Sequence, residues 1–313
     1  MKKTVIVITG PTASGKSGLG IALAKRINGV VISADSMQIY KKLDVGTAKV
    51  TQEESEGIRH ELIDIIDIDK NFSVSEYKDA CYKIIEKVFK EGKTPIIVGG
   101  TGLYINAVIN NMSFEKIDET KEAEVELELQ RIIADKTSEE LYQLLKEMDS
   151  KAALNIDVGN DKRVIRAIKL HMLGIDKSSI DNRKDLWNKN ESEYDFLVVY
   201  IDMPRDLLYD RINKRVDQMV DMGVIEEVKL LYSMKEKDIT ACQAIGYKEF
   251  FEYLDGTKTL SECTEFLKQK TRNYAKRQIT WFKKLQDKFI VDGTKTKDEI
   301  VESILKEYNE KNK

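Results

Sequence analysis

The chain has few of the side chains that build cross-links and imidazole metal sites. Its 313 residues include three cysteines, Cys81, Cys242 and Cys263, far apart and without CxxC spacing, so neither a disulfide framework nor a zinc site is expected. Two histidines, His60 and His171, leave little scope for metal chemistry through imidazole. Also missing is any run of about 18 uninterrupted apolar residues, which argues against a membrane span. Lys2-Lys3 lead straight into an apolar run and a glycine loop, with no cleavable signal pattern. A cytoplasmic protein with no membrane partner, working as a monomer, is expected.

Charge is plentiful. Charged residues make up 34% of the chain and apolar ones 42%, against a usual charged share of about 25%, which implies a folded protein with a densely ionic surface. The length suits roughly two domains of ~150 residues or one large α/β unit, with enough chain for a sizeable core. The formal net charge of −3 argues, as an average, against nucleic acid. The average hides an asymmetry. Residues 115–147 carry eleven acids, beginning with Glu115, against five bases, among them Lys116, whereas residues 268–288 carry eight bases against Asp287 alone. Such separation of sign is a polyanion-binding signal.

Short β-rich runs alternate with helical stretches in the first third, the pattern of parallel strands joined by helical crossovers. Strands are expected at Val5–Thr9, Val30–Ser33, Pro95–Val98 and Phe196–Ile201, with a further one at Phe289–Val291. Helices are expected from Lys16 to Arg26, stopped by Gly29, from Ser75 to Lys90, and from Pro204 to about Met222. Between Phe114 and Asn190 no strand is convincing, and Leu127, Ile132, Ile133, Leu141, Leu144, Leu145, Val164, Ile168 and Leu170 recur at helical spacing. The fold expected is an α/β parallel-sheet core, residues 1–113 and 191–313, with a helical insertion domain at 114–190 and a mainly helical C-terminal part.

Gly10-Pro11-Thr12-Ala13-Ser14-Gly15-Lys16-Ser17 satisfies G-x-x-x-x-G-K-[ST] between a strand and a helix. Loop amides and the helix N-terminus make an anion cradle, Lys16 adds a point charge, and Ser17 can hold a phosphate-bound magnesium ion. The motif implies a diphosphate or triphosphate without choosing ATP. Asp35-Ser36-Met37-Gln38 follows the second strand, where ligands of parallel sheets lie, so Asp35 can serve as a general base or, more plainly, as a helix N-cap. Gly99-Gly100-Thr101-Gly102 repeats the arrangement after the third strand, with the Thr101 hydroxyl at the strand end; a purely structural turn is the alternative. Arg211 and Arg215, four apart on one helix, suit two guanidiniums converging on a polyanion, or solvated ion pairs with Asp210 and Asp217. Residues 271–282 form an amphipathic basic stretch. Tyr274, Gln278, Trp281, Phe282 and Leu285 share one face; Arg272, Lys276 and Lys283 share another that can meet phosphates or simply be solvated.

Taken together and in order, GPTASGKS, ISADSMQIYKKLDVGTAK, PIIVGGTGLY, DKRVIRAIK, QAIGYKE and TRNYAKRQITWF resemble the bacterial tRNA dimethylallyltransferases, or tRNA isopentenyltransferases, from about residue 4 to 291. The resemblance implies a fold like that of the phosphate-loop NTPases and a prenyltransferase. Its reaction moves a dimethylallyl group from dimethylallyl diphosphate to the exocyclic amine of the adenosine 3′ to the anticodon, in tRNAs reading codons that begin with U. It implies that the phosphate loop, Gly10 to Ser17, holds the donor's diphosphate with one of Arg211 and Arg215. Asp35 is then the base, with Thr101 beside the flipped adenosine and magnesium on Ser17 as the cofactor. tRNA contacts are implied for Asp35, Ser36, Met37, Gln38 and Thr101, for Lys162, Arg163 and Arg166, and for Gln243, Gly246, Tyr247 and Lys248, beside the basic pair Arg272 and Lys276. The chain lacks the zinc finger of eukaryotic members and has Lys248 where relatives often have arginine. A phosphate-loop small-molecule kinase would leave QAIGYKE and the basic stretch without a role. An adenylate isopentenyltransferase would need no extended RNA surface.

Overall fold

The structure is a computed structural model that describes residues 2–114, 118–175, 185–187, 190–235 and 239–313. Glu115 and Lys116 of the acidic segment lie outside the described residues. The chain divides into two compact units, Met1–Asn111 with Asn190–Lys313, and Met112–Lys189.

The larger unit is built on a six-stranded sheet in which every pairing is parallel. The strands are β1 (Lys3–Thr9), β2 (Gly29–Ala34), β3 (His60–Glu61), β4 (Thr94–Gly99), β5 (Tyr194–Asp202) and β6 (Phe289–Asp292), in the order β3-β2-β4-β1-β5-β6. β1 lies between β4 and β5, and Val5 to Ile8 are fully buried, as a β-branched strand covered on both faces must be. β3 has only two residues and no hydrophobic run, so periodicity could not reveal it.

Helix α1 (Lys16–Arg26) packs Leu19 and Leu23 with Ile300, Val301 and Ile304 of α12 (Lys297–Lys311) against one face of the sheet. It ends differently from the sequence expectation. Asn28, with φ +49, takes the left-handed position after the helix, and Gly29 already belongs to β2, where Ile96 Cδ1 would stand 2.6 Å from any Cβ. Helix α2 (Val74–Lys90) is started by a capping box of Ser73 and Glu76, and it stacks Tyr77 on Tyr104 of α3 (Gly102–Ile109), with centroids 3.9 Å apart.

The smaller unit holds α4 (Glu119–Ile133), α5 (Ser138–Met148), the single turn α6 (Ser150–Ala153), α7 (Asp161–Met172) and a 3₁₀ turn at Asp185–Trp187. Its core is Leu129, Leu141, Leu145, Ile156, Val164, Ala167 and Ile168. Leu127, expected inside, is 62% exposed, and Val125 and Leu129 face inward in its place. Glu122 and Glu126 of the acidic segment pair with Lys169 at 2.9 and 2.7 Å, so part of that charge ties α4 to α7.

After β5 the larger unit continues through α8 (Arg205–Asp221), α9 (Val224–Tyr232), a short α10 (Phe251–Leu254) and the long α11 (Leu260–Lys283). Pro204 stands immediately before α8, with φ −53. A second core, with Tyr40, Leu43, Val228, Tyr247, Phe250 and Leu267, joins these helices to the segment after β2. Among the described residues no helix is long and apolar enough to cross a membrane.

Candidate active site

The phosphate loop runs from β1 into α1, so its amides open at the carboxyl edge of the sheet. Gly15 sits at the helix N-cap with φ +89, a conformation that L side chains rarely adopt. No side chain caps α1. Its first amides and the positive end of the helix are therefore suited to an external anion. Among the described residues Ser14 Oγ, inside the loop, is buried without a hydrogen-bond partner. Lys16 Nζ folds back to donate to Pro11 O at 2.6 Å. Burial and the neighbouring Arg215 bring the Lys16 pKa down to about 7, with Asp35 opposing the shift. Ser17 is exposed in the first turn.

Arg215 and Arg211 part company. Arg215 donates through Nη1 to Thr12 Oγ1 at 3.3 Å and through Nη2 to Thr47 O at 3.4 Å, while its Nε is buried with no partner among the described residues. Burial lowers its pKa, and Asp35 works against that. Arg211, one turn earlier, is exposed and does not line the cavity described below.

Asp35 starts no helix. Its Oδ1 accepts the Met37 N–H at 2.9 Å, closing a side-chain turn over residues 35–37. Gln38 holds the next stretch in place, accepting from Ser33 Oγ at 3.0 Å and donating to Thr47 O at 3.3 Å. Thr101 occupies the N-cap of α3 without capping it with its side chain. Its hydroxyl accepts the Ser36 N–H at 3.0 Å, which binds the loop after β4 to the loop after β2.

Of these residues Thr12, Asp35, Ser36 and Arg215 border a cavity of about 250 Å³, whereas Lys16 and Thr101 do not line it. Thr12, Asp35, Ser36 and Arg215 form its polar side; Met37, Val216, Met219 and Leu267 form an apolar one; Gln243, Gly246 and Tyr274 complete the wall. The Tyr274 pKa is pushed up to about 12 by burial and by Asp35. Sequence reasoning missed Val216, Met219 and Leu267, since isolated apolar residues on helices carry no sign of a ligand, and Thr47, which lies in a turn with no motif of its own.

Tyr247 does not face the cavity as an RNA-contacting side chain would. It is completely buried and donates to Glu227 Oε2 at 2.8 Å. Lys248 is exposed. In the basic stretch, Gln278, Phe282 and Leu285 are buried and Tyr274 and Trp281 half-buried, as the amphipathic pattern expects, and Lys276 is exposed. Arg272 departs from it, because its Nη1 is anchored to Asn213 Oδ1 at 2.6 Å. Lys162, Arg163 and Arg166 are exposed on α7 in the smaller unit.

Among the described residues no group of three or more His, Cys, Asp or Glu could hold a metal ion. Magnesium does not require one, since it binds through few protein ligands and keeps water and substrate phosphates around it. An exposed hydroxyl, Ser17, beside an amide cradle suits that mode.

The sequence pattern of the family described as IPP transferase matches residues 38–285. The chain belongs to this family. A tRNA dimethylallyltransferase of Acetivibrio thermocellus is 47% identical over 289 residues, covering 92% of this chain and 91% of the relative. A tRNA isopentenylpyrophosphate transferase of Bacillus halodurans shares the fold with a TM-score of 0.72 and 41% identity, covering 100% of this chain and 98% of that one. A eukaryotic dimethylallyltransferase, whose structures capture it acting on tRNA, matches with a TM-score of 0.76 at 31% identity, over 93% of this chain and 74% of its own. As an IPP transferase family member the chain matches the pattern from Gln38 to Leu285, a range that includes Thr101 and Arg215 and leaves Asp35 and the phosphate loop just before its start.

Proposed function

We propose that this chain is a cytoplasmic tRNA dimethylallyltransferase that moves the dimethylallyl group of dimethylallyl diphosphate to the exocyclic amine of the adenosine 3′ to the anticodon, in tRNAs reading codons that begin with U. The observation that carries the reading is one cavity bordered by Asp35, by Arg215 and by Thr12 of the phosphate loop. A base and a diphosphate holder thus border one space, as a direct transfer between two substrates requires.

The chemistry divides among these residues. The bond from the allylic carbon to the diphosphate oxygen breaks with cation-like character at carbon, and negative charge gathers on the departing diphosphate. Loop amides, Lys16 and Arg215 stabilise that charge, with Arg215 rather than Arg211 as the holder because only Arg215 reaches Thr12. Ser17 would hold a magnesium ion, which would supply further positive charge against the departing diphosphate. The new bond joins the adenine amine to the allylic carbon, and the amine's proton passes to Asp35, whose Oδ1 is engaged with Met37 so that Oδ2 is the receiving atom. Thr101, tied to Ser36, fixes the edge against which the base is held. The adenosine must leave its stack to enter a cavity of about 250 Å³. Donor and adenine filling that space together would keep water from the allylic carbon.

RNA is held outside the cavity. On the larger unit the exposed Lys248 and Lys276 serve the RNA as phosphate contacts, and on the smaller unit the exposed Lys162, Arg163 and Arg166 offer cations of the same kind, while Gln243 meets the nucleoside from the cavity wall. The test is to incubate the pure protein with magnesium and labelled dimethylallyl diphosphate, offering unmodified tRNA, AMP, or ATP with small acceptors. Label in tRNA alone is the expected result. Label in AMP alone, or consumption of ATP alone, overturns the reading.

A further inference from the structure

Gln278 is buried in the C-terminal part of α11, with both ends of its amide engaged. Its Oε1 accepts the Thr12 N–H at 2.8 Å, and its Nε2 donates to Gly100 O at 2.9 Å. One side chain thus spans the phosphate loop after β1 and the glycine loop after β4. Thr12 also receives Arg215, and Gly100 immediately precedes Thr101, so the amide touches neighbours of both halves of the reaction without lining the cavity.

The glycine loop is shaped around this contact. A Cβ on Gly100 would lie 2.4 Å from Gln278 Nε2, whereas the next atoms are 3.6 Å away, and no left-handed φ requires glycine there. A side chain at position 100 would therefore have to displace the amide at the end of the Gln278 side chain, and nothing else. Gly102 is matched in the same manner, with Trp281 Cδ1 2.4 Å from where its Cβ would stand. Tyr274, Gln278 and Trp281 follow at spacings of four and three, so they share one face of the helix, and they meet the cavity, the two loops and the start of α3 in turn.

We propose that Gln278 is a positioning residue for both substrates: its amide sets the separation of the donor loop from the Thr101 loop, and Gly100 is glycine to admit it. The reason is geometric. Transfer needs the allylic carbon and the adenine amine within near-attack distance, and small misplacements of loops carrying the two substrates are costly. A backbone-to-backbone bridge through one rigid amide holds that distance whatever side chains line the cavity. The proposal deepens the prenyl-transfer reading and rests on it for its kinetic consequences, while its structural content concerns two loops in any phosphate-binding protein of this shape.

The test is a double-mutant cycle of Gly100→Ala and Gln278→Ala, with Gln278→Met as a variant that keeps volume but loses both hydrogen bonds. Magnesium diphosphate affinity is measured by calorimetry as the donor-loop signal, and kcat with saturating tRNA as the joint one. Gln278→Met is expected to weaken diphosphate binding by about tenfold and lower kcat by at least that much. Gly100→Ala, a change outside the phosphate loop, should also weaken diphosphate binding, because it displaces the amide from Thr12. In the Gln278→Ala background the same Gly100→Ala change should cost less than about twofold. Unchanged diphosphate affinity in Gly100→Ala, or effects that simply multiply across the cycle, overturns the proposal. Should Gln278→Met fail to fold, Gly100→Ala and its cycle with Gln278→Asn give the same decision. A wild-type protein that binds diphosphate but makes no prenylated tRNA would sink the functional reading alone, since the coupling of Gly100 to diphosphate affinity is read without turnover.

Discussion

Tyr247 donates its hydroxyl to Glu227 Oε2 at 2.8 Å, and the same carboxylate accepts the backbone N–H groups of Asp44, Val45 and Gly46 at 2.9, 2.7 and 3.1 Å. One glutamate on α9 therefore holds the loop that supplies Gly46 and Thr47 to the cavity. Glu227→Ala should destabilise the protein by about 2–3 kcal/mol, since several donors lose their partner at once. Tyr247→Phe removes a single bond and should cost about 1 kcal/mol. Urea unfolding of the two variants measures the difference, and equal losses would contradict this account of the loop.

The two arginines of α8 give a contrast between neighbours. Arg215→Ala should lower kcat/KM for dimethylallyl diphosphate by about 10²–10³, the range for removing a donor aimed at developing charge. Arg211→Ala, at an exposed position, should stay within about twofold. Steady-state kinetics with varied donor decides the matter, and comparable losses would reverse the assignment.

Lys16 predicts a pH dependence of donor binding. Its pKa in the free protein is lowered to about 7 by burial and Arg215, and diphosphate favours the protonated amine. Binding above that pH must therefore draw in a proton, and affinity should fall by up to about tenfold per pH unit there while levelling off below it. Calorimetry at pH 8 in two buffers of different ionisation enthalpy should show uptake approaching one proton. Uptake near zero would mean that Lys16 is already charged.

Asp35→Asn retains an oxygen for the Met37 N–H, so the turn should survive while basicity is lost. Turnover is expected to fall by at least about 10², with tRNA affinity within about twofold. Single-turnover kinetics together with a filter-binding titration would show it; near-normal turnover would remove Asp35 from the base role.

The sheet was readable because its central strands are continuous β-branched runs, such as Val5 to Ile8, that only a doubly covered position explains. The phosphate loop was readable because its residue types and spacing follow from anion chemistry. Positions that depend on distant partners were not. That Arg215 and not Arg211 reaches the phosphate loop depends on Thr12, more than two hundred residues away. The family resemblance of QAIGYKE implied a tRNA contact for Tyr247, but its side chain is buried in a core and bonded to Glu227. Arg272 fits the cationic face by periodicity, and it is Asn213 on another helix that claims it. Thr101 carried no sign in sequence that its hydroxyl would leave its own helix uncapped and reach Ser36.

The central claim concerns one atom of one nucleoside. Unmodified tRNA reading codons that begin with U is incubated with the protein, magnesium and dimethylallyl diphosphate, then digested and mapped by mass spectrometry. The account predicts a single dimethylallyl group on the exocyclic amine of the adenosine 3′ to the anticodon, absent when Asp35→Asn replaces the wild type. A dimethylallyl group at another nucleoside, or unmodified tRNA after complete incubation, would contradict it.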